Sequence, residues 1–163
     1  MRMEKHTISV LVNNQPGVLQ RVAGLFGRRG FNIESITVGE SEEKGLSRMV
    51  IVTKGDARTL EQITKQLYKL IDVIKVVDLS SHPMVDRELA LIKVNAGAAE
   101  RSEILSIVET FRAAVVDIGT TTMIVQVVGD PNKVDAMVEL LKPYGIKELT
   151  RTGVTAMIRG AGK

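Results

Sequence analysis

The sequence contains no cysteine and no tryptophan, and only two histidines, two tyrosines and three phenylalanines among 163 residues. Without thiols, disulfides, thiolate nucleophiles and cysteine-based zinc sites are excluded. With only His6 and His82 to offer imidazole, a metal site would need mainly carboxylate ligands, and no Ser, His and carboxylate grouping suggests a nucleophilic triad. Charge of one sign is also scarce: 22 Lys and Arg against 19 Asp and Glu leave a formal +3. That is a small cationic excess, unlike the polybasic surface of nucleic-acid binders. No apolar run approaches the ~20 residues that span a bilayer. The opening Met1 to His6 carries no apolar signal-peptide core. The expectation is a cytoplasmic protein with no metal, no membrane partner and no nucleic acid. What is present, 44% hydrophobic and 25% charged residues, is ordinary globular composition, enough for one domain or two small ones.

Thr7 to Val12 is β-branched and apolar and stops at Asn13-Asn14-Gln15-Pro16-Gly17, a turn cluster that places Pro16 at the first position of a helix. That helix sets Leu19, Val22, Ala23 and Phe26 at i, i+3, i+4 and i+7 and ends in Arg28-Arg29-Gly30, with cations in the last turn and Gly at the left-handed cap. Residues 31–39 and 46–54 read as antiparallel strands joined by the polar Glu40 to Gly45 loop. Gly55-Asp56 caps a second helix with Leu60, Ile63, Leu67, Leu70 and Ile71 on its apolar face, and 73–79 is a fourth strand.

After Ser80-Ser81-His82-Pro83 the order repeats. A strand at 88–95 leads to a helix with Ile104, Ile107, Val108 and Phe111 in register, then to strands at 114–118 and 121–128. A shift of 74 residues lays Gly55, Asp56, Leu60, Ile63 and Leu67 onto Gly129, Asp130, Val134, Met137 and Leu141, so cap and core face recur together. Residues 146–152 and 154–158 supply strands to finish the second unit. The fold class is α+β: two ferredoxin-like βαββαβ domains in tandem, each an antiparallel sheet with its helices on one face. The partition is 1–79, a linker at 80–85, and 86–163. RNA-recognition domains share this topology but stack bases on sheet aromatics, which are scarce here.

A lone domain of this kind should alternate apolar and polar residues along its strands. This chain does not. Leu11 opposes Ile8, Val10 and Val12; Val50 and Val52 oppose Met49 and Ile51; Val73 and Val77 oppose Ile74 and Val76. Two apolar faces call for a dimer or larger assembly through sheet faces or edges, or for loops that cover the second face.

At the Asn13 to Val18 loop, helix-opening N–H groups lack intrahelical partners and carry the positive end of the dipole. Gly17 leaves room beside the backbone, so the Gly17 and Val18 amides suit a carboxylate, and Asn14 supplies both acceptor and donor. Asn32 is expected at the same end of the sheet. The group suits a zwitterion; the same residues also suit a plain turn and cap.

Val12 to Leu19 (Val-Asn-Asn-Gln-Pro-Gly-Val-Leu), Arg21, Gly24-Leu25-Phe26, Arg29 to Ser35 and Leu46 to Met49 together resemble the N-terminal ACT domain of the regulatory, or small, subunits of acetolactate synthase. The resemblance continues through Leu60 to Ile63, Lys65 to Leu67, Lys69-Leu70 and Arg87 to Leu89, and is less distinctive in the C-terminal half. Asn14 stands where the wider ACT superfamily commonly has Asp, as it does in this branch. The resemblance implies a chain that is not itself a catalyst, that forms a homodimer through its ACT domains, and that binds and activates a catalytic subunit carrying thiamine diphosphate, magnesium and FAD. It implies feedback inhibition by valine in branched-chain amino acid biosynthesis, with Asn14, Gly17 and Asn32 as effector residues and Val18 and Ile33 as neighbours. A free-standing amino-acid sensor is the competing class.

Overall fold

Strands and helices form where the apolar spacing and the breakers place them. The structure, a computed structural model, describes residues 3–161. The first run is β1 (Glu4–Asn13), α1 (Val18–Arg28), β2 (Asn32–Glu40), β3 (Leu46–Gly55), α2 (Ala57–Leu67) and β4 (Val73–Asp78). A 3-10 turn at Leu79–Ser81 leads to β5 (Met84–Asn95), α3 (Arg101–Thr110), β6 (Ala114–Ile118), β7 (Thr122–Gly129), α4 (Pro131–Leu141), β8 (Ile146–Arg151) and β9 (Thr155–Ile158). The sheets have order β2-β3-β1-β4 and β6-β7-β5-β8, all antiparallel, so the tandem ferredoxin-like organisation is as expected.

The repeat read at Gly55-Asp56 and Gly129-Asp130 is physical. Asp56 accepts the Thr59 N–H at 2.8 Å and Asp130 the Lys133 N–H at 2.9 Å, each as the N-cap of its helix. Gly30 takes the left-handed cap with φ 69°, and Phe31 N–H returns to Phe26 O at 2.9 Å to close α1.

Three helix readings shift. Helix α1 begins at Val18, not Pro16, and buries Val18, Val22, Leu25 and Phe26, so Leu19 and Ala23 face solvent. Pro16 instead opens a tight turn. Helix α2 buries Ile63 and Leu67, but Ile71 lies past its end and is 91% exposed. Ile104 and Val108 of α3, and Val134, Met137, Val138 and Leu141 of α4, face the second core as expected, with Ile107 and Phe111 packed against it.

The chain divides into one unit that runs to Val85 and resumes at Val154, and a second unit of Asp86–Gly153. The expected span 86–163 is thus divided by compactness at Val154, while β9 still pairs with β5 in the sheet of β6, β7 and β8. Met1, Arg2, Gly162 and Lys163, which fall within the expected spans, lie outside the described residues.

In the first unit the helix-side core is Ile8, Val10 and Val12 with Met49, Ile51, Val22, Phe26, Ile63 and Leu67. A bulge at Leu11/Val12 in the β1–β4 pairing leaves Ile74 unpaired. It turns Val73 and Val76 to the same side and sends Val77 to the other, in place of the simple alternation read from sequence. The opposite face carries Val50, Val52, Val77 and Leu79, and β9 covers it with Val154, Ala156 and Ile158. Val154 N–H donates to Ser35 Oγ at 3.4 Å, and Thr37 Oγ1 donates to Val154 O at 3.3 Å. The second apolar face is thus met by the chain's own C-terminal strand, and sheet-face association is not needed to bury it.

Ala156 is 8% exposed and Met157 69%. Ala156→Asp places a carboxylate in that seam and should lower unfolding free energy by ~2–4 kcal/mol, whereas Met157→Asp should stay within ~0.5 kcal/mol of the parent. Urea denaturation of both variants checks this; equal midpoints would mean that β9 does not cover the face.

Candidate effector site at the first strand-to-helix turn

Gln15 to Val18 forms a type II turn. Gly17 sits at φ 85°, ψ −3°, and Val18 N–H donates to Gln15 O at 3.3 Å. Pro presets the third-from-last residue of such a turn and Gly the next, whose positive φ an L side chain resists. Two backbone bonds anchor the turn. Asn13 N–H donates to Asp72 O, and Asn14 N–H to Gly45 O, each at 2.9 Å.

Val18 N–H is therefore spent on the turn and does not serve a ligand as expected. Val18 itself is buried in the helix-side core, and Ile33 packs against that core. Among the described residues, the N–H groups of Gly17, Leu19 and Gln20 meet no protein acceptor, and no side chain caps the helix. Asn14 is exposed above them. Donors of this kind at the positive end of a helix suit an anion.

Arg21 was absent from the expected set. Its Nε donates to Asp72 Oδ2 at 2.8 Å, with the Arg21 side chain 46% exposed and Asp72 10%. A Cβ built on Gly17 would lie 2.9 Å from Arg21 Nη1, so the guanidinium lies against the glycine. The i+4 spacing of Arg21 from Gly17 was visible in sequence. Asp72, 51 positions away, was not.

Asn32 does not join Asn14 within one chain. It is level with Lys54 in β3, which is level with Lys5 in β1, whereas Asn13 is level with Leu46. The two asparagines thus sit at opposite ends of the sheet, separated by about nine residues at ~3.4 Å each, or ~31 Å. The expectation that they share an end fails because β1 and β2 both run antiparallel to β3 and so parallel to each other. Asn32 is exposed, and its Nδ2 donates to Glu34 Oε1 at 3.0 Å.

The second unit repeats the frame with different chemistry. Asn95 N–H donates to Gly145 O at 2.9 Å and Ala96 N–H to Thr121 O at 2.8 Å, matching the bonds of Asn13 and Asn14. Alanine stands at the place of Asn14, and the Arg101 guanidinium donates to Ala96 O and Gly119 O. This turn is filled by the protein itself.

A depression of about 280 Å3 lies on the far face of the first sheet, lined by Ser9, Glu42, Arg48, Val77, Leu79 and Ala156 to Ile158. Its charges are already spent: Arg48 Nη2 holds both Glu42 oxygens, at 2.6 and 3.1 Å, and keeps that carboxyl below the usual carboxylate range. Among the described residues, no helix is long and apolar enough to cross a membrane, and no three His, Asp or Glu are grouped to hold a metal ion.

A βαββαβ unit with an open, glycine-centred turn before its first helix, followed by a second unit of the same plan, defines an ACT-domain protein with a tandem ferredoxin-like partner. Residues 8–75 match the model described as AHAS small subunit-like ACT domain, and residues 87–160 match the model described as small subunit of acetolactate synthase. The chain belongs to the acetolactate synthase small subunit family. It is 59% identical to a probable acetolactate synthase small subunit of Methanothermobacter thermautotrophicus, over 99% of this chain and 96% of the relative. It is 52% identical to the Bacillus subtilis acetolactate synthase small subunit, over 96% and 91%. The crystal structure of the acetolactate synthase small subunit from Thermotoga maritima superposes with a TM-score of 0.88 at 48% identity, covering 96% of this chain and 98% of that one.

Gly17→Ala should cost ~1–2 kcal/mol, because the turn demands positive φ and Arg21 occupies the space of the new methyl. Gly27→Ala in α1, where nothing lies within 4 Å of a built Cβ, should instead stabilise by up to ~1 kcal/mol. Denaturant midpoints of the pair read the contrast directly.

Proposed function

We propose that this chain binds the catalytic subunit of acetolactate synthase in the cytoplasm, raises its activity, and makes it sensitive to valine in branched-chain amino acid biosynthesis. Acetolactate chemistry belongs to that subunit and its thiamine diphosphate, magnesium and FAD. The observation that carries the reading is the turn at Gly17, whose donors stand open while the matching turn of the second unit is filled by Arg101.

Valine meets the turn in a homodimer. Antiparallel pairing of the β2 edge with its copy across a two-fold axis sets the start of one β2 against the end of the other, and so brings Asn32 of one protomer to the Asn14 end of its partner. Edge protection supports β2 as the pairing edge. On the opposite edge Val76 N–H donates to Tyr68 Oη at 3.0 Å and Tyr68 Oη donates to Val76 O at 3.3 Å, so that edge is already met by a side chain. In that arrangement the Gly17 amide faces the carboxylate, and the carboxamides of Asn14 and of the partner's Asn32 take the remaining polar atoms. Exposed Leu19 lies in the helix turn beside them for the isopropyl group.

Feedback follows if valine prefers one arrangement of the dimer; a coupling of ~1–3 kcal/mol changes activity several-fold. Activity of a catalytic subunit with and without this chain, titrated with valine, tests the reading; an unchanged rate without valine would oppose it. Each charge-assisted bond is worth ~1.5–3 kcal/mol, so Asn14→Ala and Asn32→Ala should each weaken valine binding ~10-fold or more by calorimetry. Parental affinity in Asn14→Ala would remove the role given to that residue.

A further inference from the structure

Arg21 joins three segments that are distant in sequence. It rises from the first turn of α1, its guanidinium lies against Gly17, and its Nε holds the carboxylate of Asp72 at 2.8 Å. Asp72 in turn accepts the Asn13 N–H through its carbonyl at 2.9 Å. With Nε committed, the two Nη groups form a complete two-donor edge, and among the described residues they meet no protein acceptor. That edge borders the Gly17 turn and reaches solvent. Planar guanidinium edges match carboxylates with two parallel bonds and add a full positive charge to the turn's amide donors.

We propose that Arg21 reads the carboxylate of the amino acid held at the Gly17 turn and, through Asp72, passes its arrival to the turn that joins α2 to β4. This rests on the effector reading above and adds to it a residue and a direction of signal. Before binding, one guanidinium neutralises one nearly buried carboxylate. After binding, it is shared between two, so the Asp72 contact weakens and the segment around Ile71, 91% exposed, is released from its anchor. The exposed Ile71 then changes its surroundings without touching the ligand.

The test compares valine with valinamide, which has the same side chain and ammonium but no carboxylate. Calorimetry on the full-length chain should show the parent preferring valine by ~10-fold or more, and Arg21→Gln should remove that preference by weakening valine ~10- to 100-fold while leaving valinamide within ~3-fold. A merely structural arginine would weaken both ligands alike, and that outcome overturns the proposal. Should Arg21→Gln fail to fold, Arg21→Lys, which keeps the charge and a partner for Asp72 but loses the fork, should still lose most of the preference; full retention overturns it. Because the chain has no cysteine, Ile71→Cys accepts a single environment-sensitive fluorophore. Valine should change its emission, and Asp72→Asn should remove most of that change while valine binds as tightly as to the parent or tighter, because the guanidinium is no longer shared; an unaltered signal refutes the relay. Asn14→Ala separates the two levels. If Asn14→Ala and Arg21→Gln both leave valine affinity intact, the turn is not the site. If Asn14→Ala weakens valine while Arg21→Gln discriminates as the parent does, only the Arg21 assignment falls.

Discussion

The relation between β1 and β2 governs what one copy of this protein can do. Both strands pair antiparallel with β3, so they run parallel to each other, and the residues that open β2 are held far from the turn that closes β1. A rigid hydrogen-bonded ladder does not bend to bring Asn14 and Asn32 together. A small molecule touching both would need a second chain, and in the dimer proposed above it would lie where two copies meet.

The C-terminal strand shapes the same outcome by closing an alternative. Val50, Val52, Val77 and Leu79 would form an apolar face inviting stacked sheets, but Val154, Ala156 and Ile158 cover it. With that face covered and the β4 edge occupied by the Tyr68 hydroxyl, β2 is left as the edge with an open ladder. The second unit keeps the backbone frame of the first but fills its turn with Arg101, so duplication of the fold has not duplicated the open donors.

Local signals in the sequence foretold local structure. The Asp56 and Asp130 caps, the Gly30 terminus, the α3 and α4 core faces and the βαββαβ order all stand, because each depends on neighbours a few residues away. The glycine turn was legible too, although Pro16 and Gly17 form a type II turn and not the helix start itself. What escaped depended on distance. The place of β9 is decided by a seam 75 to 108 residues upstream, the β4 bulge by its pairing with β1, the Arg21 contact by Asp72, and the Asn32 position by a topological relation that no spacing displays.

A site shared between chains makes a demand that a site within one chain does not. When Asn14→Ala and Asn32→Ala chains are mixed and allowed to exchange, each hybrid dimer carries one pocket with both asparagines intact and one with neither. Calorimetry on the mixture should recover parental valine affinity in a subset of sites approaching one per hybrid dimer, although neither variant alone binds well. If the mixed population binds no better than its two components, the asparagines do not meet across a dimer, and the two-chain site is wrong.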